Sequence, residues 1–300
     1  MAASRLLRLP PRPALLGGAA ASVGVAAAYF LWSRRLRACT SCCPPGSLPP
    51  LSSLSPGDAP ESGSEQEVAS LTTYVTGTQL ASSPAERVVV VLTDVWGFRA
   101  GRHRQVCDVL ASSLRCSVYM PDLFHGDSLT VDKSPGTAGF APWVQQWSPS
   151  RVSADIERLL DTFPAACKVG VVGFCWGTFA ALLAGSGSST AVKAACFAHP
   201  SHRAVMEKMH GIAPHDVGEY YLGSFRAPTL CLTAGNDDPR CKPGGTDEKI
   251  LQLAGVPTKF AEFENQSHGW IVKGELSNPE TAAAVRSGVG LIRSWLDEHL

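Results

Sequence analysis

Residues 168–172 (KVGVV) run directly into Gly173-Phe174-Cys175-Trp176-Gly177, and the helix-prone stretch Thr178–Ala184 follows. A nucleophile flanked by glycines between a strand and a helix is the G-x-S-x-G turn, here with cysteine in the serine position. The glycines have a steric purpose, because side chains beside so sharp a turn would collide with the adjoining strand and helix. The turn also aims the N–H groups of a helix N-terminus at the reacting centre, which favours negative charge there. Such surroundings lower a thiol pKa from its free value of about 8.5. Cys107, Cys116, Cys167, Cys196 and Cys231 lie in apolar runs without flanking glycines and read as buried filler.

A nucleophile of this kind needs a base, and the base needs an orienting acid, in the chain order nucleophile, acid, histidine. Ala234-Gly235-Asn236-Asp237-Asp238 follows the apolar run Thr229–Thr233, and Glu264-Asn265-Gln266-Ser267-His268-Gly269-Trp270 follows Lys259–Phe263. His268 is thus the candidate base. Either Asp237 or Asp238 supplies the acid, and the other caps backbone N–H groups of its turn. His199 and His202 follow the run Ala194–Ala198, which places His199 near the mouth of a pocket. His199, His202, His210 and His215 form no recognised metal pattern. Cys39-x-x-Cys42 lacks a second ligand pair for zinc. Neither a metal nor an organic cofactor is expected.

The elements that position these residues follow from periodicity. Val88–Leu92, Cys116–Met120, Lys168–Gly173, Ala194–Ala198, Thr229–Thr233 and Lys259–Phe263 are short apolar runs that predict strands, most of them buried on both faces. Gln105–Leu114, Val152–Phe163 and Thr281–Leu296 carry apolar residues at helical spacing, with Val109 on the buried side of the first. Strands alternating with helices predict an α/β fold with a mostly parallel central sheet and helices on both faces. Chemistry is then expected in the loops at the carboxyl ends of the strands.

The N-terminus has a different character. Residues 1–57 hold six arginines and no acid, although the whole chain has 26 basic and 26 acidic residues. The remainder therefore carries six more acids than bases, which gives no electrostatic case for nucleic acid. Residues 14–32 contain no charge and would span roughly 28 Å as a helix, close to a bilayer's hydrocarbon thickness. The expectation is a basic leader over residues 1–43, retained as a single-span membrane anchor or removed as an organellar address. Cys39, Cys42 and Cys43 are either juxtamembrane acylation sites or unmodified thiols. Residues 44–68, rich in Pro, Ser and Gly over most of their length, read as a linker, and 69–300 as one α/β domain. Ten cysteines without a disulfide framework favour a reducing compartment.

From about residue 70 onward the chain resembles the dienelactone hydrolase family of α/β-hydrolases. The resemblance rests on Gly173-Phe174-Cys175-Trp176-Gly177, Thr93-Asp94-Val95-Trp96-Gly97, Pro121-Asp122-Leu123-Phe124, Gly235-Asn236-Asp237 and Ser267-His268-Gly269-Trp270. It implies the α/β-hydrolase fold and cofactor-free hydrolysis of a small-molecule lactone or ester by a Cys175–His268–Asp237 triad, through a thioester. It further implies an oxyanion hole from the N–H groups of Val95 and Trp176, and a thiol-tuning role for Asp94. Trp96, Phe124, His125, His199, Trp270 and Lys273 are candidates for lining the substrate pocket, as are Trp143 and Trp147.

Two substitutions separate the chain from the bacterial enzymes. Their arginines for substrate carboxylate are replaced by His125-Gly126 and by Val272, with Lys273 alongside as a partial substitute. The natural substrate is accordingly expected not to be a dienelactone. Two further readings stand beside the hydrolase. One is a non-catalytic, membrane-tethered binding protein; the other is a thiol protein that responds to oxidation, with Cys196 or Cys231 as resolving partner.

Overall fold

The structure, a computed structural model, describes residues 43–48, 61–77, 87–127, 129–186 and 192–300. Of the two compact units in the chain, Met1–Ala38 lies outside these residues and Cys39–Leu300 contains all of them. The apolar stretch 14–32 and most of the expected leader and linker are therefore outside the described residues. Within them, no helix is long and apolar enough to cross a membrane.

Among the described residues, eight strands form one sheet: β1 Ser64–Val68, β2 Leu71–Gly77, β3 Arg87–Leu92, β4 Ser117–Pro121, β5 Lys168–Phe174, β6 Val192–Ala198, β7 Thr229–Ala234 and β8 Thr258–Phe263. Their spatial order is β1-β2-β4-β3-β5-β6-β7-β8. The pairings from β4 to β8 are parallel, and β1 and β2 add an antiparallel edge. This is the α/β architecture expected, with the six expected strands present to within two residues at each end.

Side chains of the central strands alternate between two cores, as period-2 geometry requires. Val88, Val90 and Leu92 of β3 join one core with helices Pro149–Leu160 and Gly177–Gly185. Val89 and Val91 join the other with helices His103–Leu114 and Pro279–His299. Burial of both faces explains why β3 is an unbroken apolar run. The helix termini carry local instructions as well. Ser148 accepts a hydrogen bond from the Arg151 N–H with Pro149 in the first turn, and Asn278 accepts from Glu280 and Thr281 with Pro279 in the first turn. Val109 differs from expectation: the buried stripe of its helix follows Val106, Cys107, Leu110 and Leu114, leaving Val109 exposed.

A strand lies upstream of residue 69, where the domain was expected to begin. β1 pairs with β2 through a two-residue turn in which Ala69 and Ser70 have φ of 53° and 60°. Hairpin turns of this hand usually carry Asn-Gly, so the turn leaves no obvious mark in the sequence. The segment 43–48, read as the join of leader and linker, also packs on the domain. Ser47 N–H donates to Pro44 O around a turn with Gly46 at φ 80°, Leu48 N–H donates to His268 O at 3.0 Å, and Asn236 Nδ2 donates to Pro45 O at 2.9 Å.

Candidate active site

β5 ends at Phe174, and the helix Gly177–Gly185 begins three residues later. Between them Cys175 has φ 53°, a left-handed conformation that is costly for a residue with a Cβ and persists only where the surroundings enforce it. Several bonds do so. Cys175 N–H donates to Ala198 O at 3.0 Å, while its carbonyl accepts from Thr178 N–H at 3.1 Å, Ser201 N–H at 3.2 Å and Thr178 Oγ1 at 2.6 Å. The flanking glycines are needed because a Cβ on Gly173 would lie 2.5 Å from Gly177 O, and one on Gly177 would lie 2.1 Å from Leu92 O.

The loops after β7 and β8 bring the acid and the imidazole together. His268 Nδ1 lies 2.5 Å from Asp237 Oδ1, and Asp237 Oδ2 accepts from Ala234 N–H at 2.7 Å. Asn236 Oδ1 accepts from His268 N–H at 2.7 Å, which fixes the two loops to each other. Asp238 faces elsewhere: it caps Arg240 N–H and pairs with the Arg240 guanidinium. Geometry thus separates two acids that the residue pattern alone left equivalent. Cys175 and His268 present donor atoms within 4.8 Å of one another, and both residues are fully buried. Burial alone pushes the His268 imidazole down, but the Cys175 sulfur and the Asp237 carboxylate outweigh it and hold His268 well above its ordinary range.

Ser201 lies beside both, with its Oγ 3.4 Å from Cys175 Sγ and 3.5 Å from His268 Nε2. The sequence does not single Ser201 out, because only the fold brings its hydroxyl to Cys175 across 26 residues. His199, expected at a pocket mouth, is instead buried, with φ 38° and its ring 5.2 Å from that of His268. Neither His199 ring nitrogen has a hydrogen-bond partner among the described residues. Burial first and the His268 charge second push its pKa well down, so the ring is neutral.

Asp94 Oδ1 accepts from Trp96 N–H at 3.0 Å, and Lys273 Nζ lies 3.2 Å from Asp94 Oδ2. Burial lowers the Lys273 pKa, but Asp94, followed by the sulfurs of Cys43 and Cys175, raises it overall, so the ammonium stays charged. Lys273 was expected as a contact for substrate carboxylate. It is buried against Asp94 instead, because a cation removed from water must have a counter-charge. Val95 and Trp176 are both fully buried, in the loop after β3 and directly after Cys175.

The aromatic candidates divide by sheet face. Phe124 stacks near Trp143, Trp147 and Trp176 with ring centroids 4.7–5.3 Å away, beside the turn that carries Cys175. Trp96, Phe124, Phe98, Arg99 and Asp122 line a small cleft. Trp270, also expected in the pocket, belongs to the opposite core, where it meets Phe263 at 4.3 Å and covers Gly288. His125 is tied to Asp155 by a 2.7 Å contact from Nε2 and stacks on Trp147.

Two groups of donors among the described residues are compact enough for a metal. His202, Cys241 and Asp247 form one, but Arg203 Nε and Nη2 already hold Asp247 at 2.9 and 2.5 Å. The other is Cys43, Cys175 and His268. Cys43 Sγ lies 3.6 Å from Cys175 Sγ, a contact across 132 residues of sequence.

A largely parallel sheet with a strained strand-to-helix turn at Cys175 after a central strand, and acid and histidine in successive strand-end loops, is the arrangement of the α/β-hydrolase fold. A dienelactone hydrolase from Anabaena variabilis shares this fold, with TM-score 0.52 and 17% identity over 81% of this chain and 99% of its own. The profile of the dienelactone hydrolase family matches residues 72–300, and the chain belongs to that family. Among related proteins, the carboxymethylenebutenolidase homolog of Homo sapiens is 24% identical over 244 residues, 79% of this chain and 91% of its own length. Hydrolase tropI of Talaromyces stipitatus is 25% identical over 227 residues, covering 71% of this chain and 81% of its own.

Proposed function

We propose that this hydrolase cleaves a lactone or small carboxylic ester with Cys175 as nucleophile. The observation that carries the reading is the cluster of Cys175, Ser201 and His268 with Asp237 behind the imidazole, His268 being held well above its ordinary pKa by the sulfur and the carboxylate. A raised imidazole beside a thiol favours the thiolate–imidazolium pair, which is the reactive form.

In this mechanism the Cys175 thiolate adds to the ester carbonyl, and the N–H groups of Val95 and Trp176 hold the oxyanion. Collapse gives a thioester and expels the alcohol or ring oxygen, which takes its proton from His268. The imidazole then removes a proton from water as it attacks the thioester, and Cys175 leaves as thiolate. Asp237 fixes the ring with Nδ1 protonated, so that Nε2 faces the reacting atoms. Asp94 acts by holding the Lys273 cation near the two sulfurs. Phe124 and Trp96 form the apolar side of the substrate site.

The test is turnover of p-nitrophenyl esters and lactones by the full chain alongside Cys175→Ala and His268→Ala. Loss of at least a hundredfold in both variants is expected, and turnover unchanged by either substitution would falsify the mechanism. Cys175→Ser is expected to lose most of the rate, since His268 must then deprotonate a far weaker acid. For residues 1–42 we propose a membrane anchor or an organellar address, with Cys43 retained on the domain against which it packs. A reporter fused to them that resists carbonate extraction indicates the anchor, and a shortened soluble product indicates the address.

A further inference from the structure

We propose that Cys43 is the resolving thiol for Cys175, and that hydroperoxides convert the pair to a disulfide that shuts the active site. The inference rests on reading Cys175 as a reactive thiol, and it adds a partner, a chemistry and a consequence to that reading.

Cys43 Sγ is 3.6 Å from Cys175 Sγ, and both residues are buried. A disulfide needs about 2.05 Å, so the sulfurs must close by about 1.6 Å. Cys175 is pinned by its turn, whereas Cys43 belongs to irregular chain that hydrogen-bonds the domain at Leu48 and Pro45. The adjustment therefore falls on the Cys43 side, which no strand or helix fixes. Those same bonds attach it to His268 and Asn236, the base and the neighbour of the acid. The other cysteines near the sheet lack this setting. Cys196 and Cys231, the partners suggested by sequence, are raised well above the ordinary thiol range by burial and stay protonated. Around Cys175 and Cys43, by contrast, stand the His268 imidazole, raised in part by the Cys175 sulfur, and the Lys273 ammonium, raised in part by both sulfurs.

The chemistry balances with a hydroperoxide as oxidant. The Cys175 thiolate attacks the terminal oxygen, forming an S–O bond and breaking O–O, and the departing alkoxide takes a proton to leave as alcohol. Cys43 then attacks the sulfenic sulfur, forming S–S and breaking S–O, and hydroxide leaves with the Cys43 proton as water. Two thiols lose two electrons, and the peroxide gains them. A dithiol reverses the result by exchange. Without Cys43, the sulfenic acid remains open to further, irreversible oxidation.

The experiment exposes the reduced full chain to hydrogen peroxide, blocks remaining thiols and maps peptides without reduction, in parallel with ester turnover before and after dithiothreitol. The expected result is a Cys43–Cys175 peptide two hydrogens lighter than its parts, with turnover falling at least tenfold and recovering on reduction. Cys43→Ser should instead accumulate Cys175 sulfinic acid and recover nothing. A Cys175 peptide linked to Cys39 or Cys42, or linked to nothing, overturns the proposal. A bridge that forms in a chain without ester turnover leaves it standing and removes the hydrolase reading alone. Turnover that needs Cys175 with no bridge formed does the reverse.

Discussion

Lys273 Nζ and Asp94 Oδ2 sit 3.2 Å apart with both side chains removed from solvent. A buried pair is expensive to break from one side, because the remaining charge keeps its desolvation cost without its partner. Lys273→Met should therefore lower stability by about 3–5 kcal/mol in urea unfolding. Asp94→Asn added to it should restore most of the loss. If the double variant is as unstable as the single, packing around Lys273 rather than charge is responsible.

The two acids of the loop after β7 should differ sharply. Asp237→Asn disturbs the carboxylate that touches His268 Nδ1. It is expected to cut kcat by about a hundredfold to ten-thousandfold with little change in KM. Asp238→Asn loosens the Arg240 contact, away from His268, and should leave kcat within about twofold. Steady-state kinetics on one ester decides between the two.

Acid stability should depend on Asp247. Burial would raise its pKa, but His202 and then Arg203 outweigh burial and bring it from 3.8 down to about 2. A depressed carboxylate stabilises the fold while ionised, fully above the unfolded value and progressively less as pH falls through the folded one. Between about pH 4 and pH 2 the fold should lose about 2 kcal/mol from this group. Asp247→Asn should be less stable at pH 7 and show a flatter acid limb in denaturation followed against pH.

Gly177 and Gly244 separate crowding from conformation. A Cβ at Gly177 meets Leu92 O at 2.1 Å, whereas at Gly244 it meets nothing but the residue has φ 77°. Gly177→Ala should cost about 3 kcal/mol, the upper end for overpacking, and distort the turn at Cys175. Gly244→Ala should cost about 1–2 kcal/mol, the penalty of a left-handed residue with a side chain, and leave turnover alone. Thermal unfolding with parallel kinetics reads both.

What could be read from the sequence follows from how each residue gains its neighbours. β3 and β5 announce themselves because burial on two faces demands an unbroken apolar run. The turn at Cys175 is visible because crowding by Leu92 and Gly177 leaves only glycine at fixed positions. β1 (SEQEV) is an edge strand with nearly every side chain exposed, joined by Ala69-Ser70 without a turn signature, so no local pattern marks it. Ser201 and Cys43 meet Cys175 only through the fold, and no spacing rule reaches across 26 or 132 residues. Trp270 lies away from the expected pocket because an aromatic after a strand can turn to either face, and the small Gly288 on the last helix leaves room for it on the far one.

Complete burial of the Cys175 sulfur gives the chain a kinetic signature. An alkylating reagent can reach that atom only in the fraction of time that the surrounding chain stands open. At low reagent the rate of modification should climb with concentration, and at high reagent it should level off at the opening rate itself. That plateau makes iodoacetamide a stopwatch for the protein's own breathing. Replacing Asn236, whose amide holds both Pro45 and His268, should run the stopwatch faster.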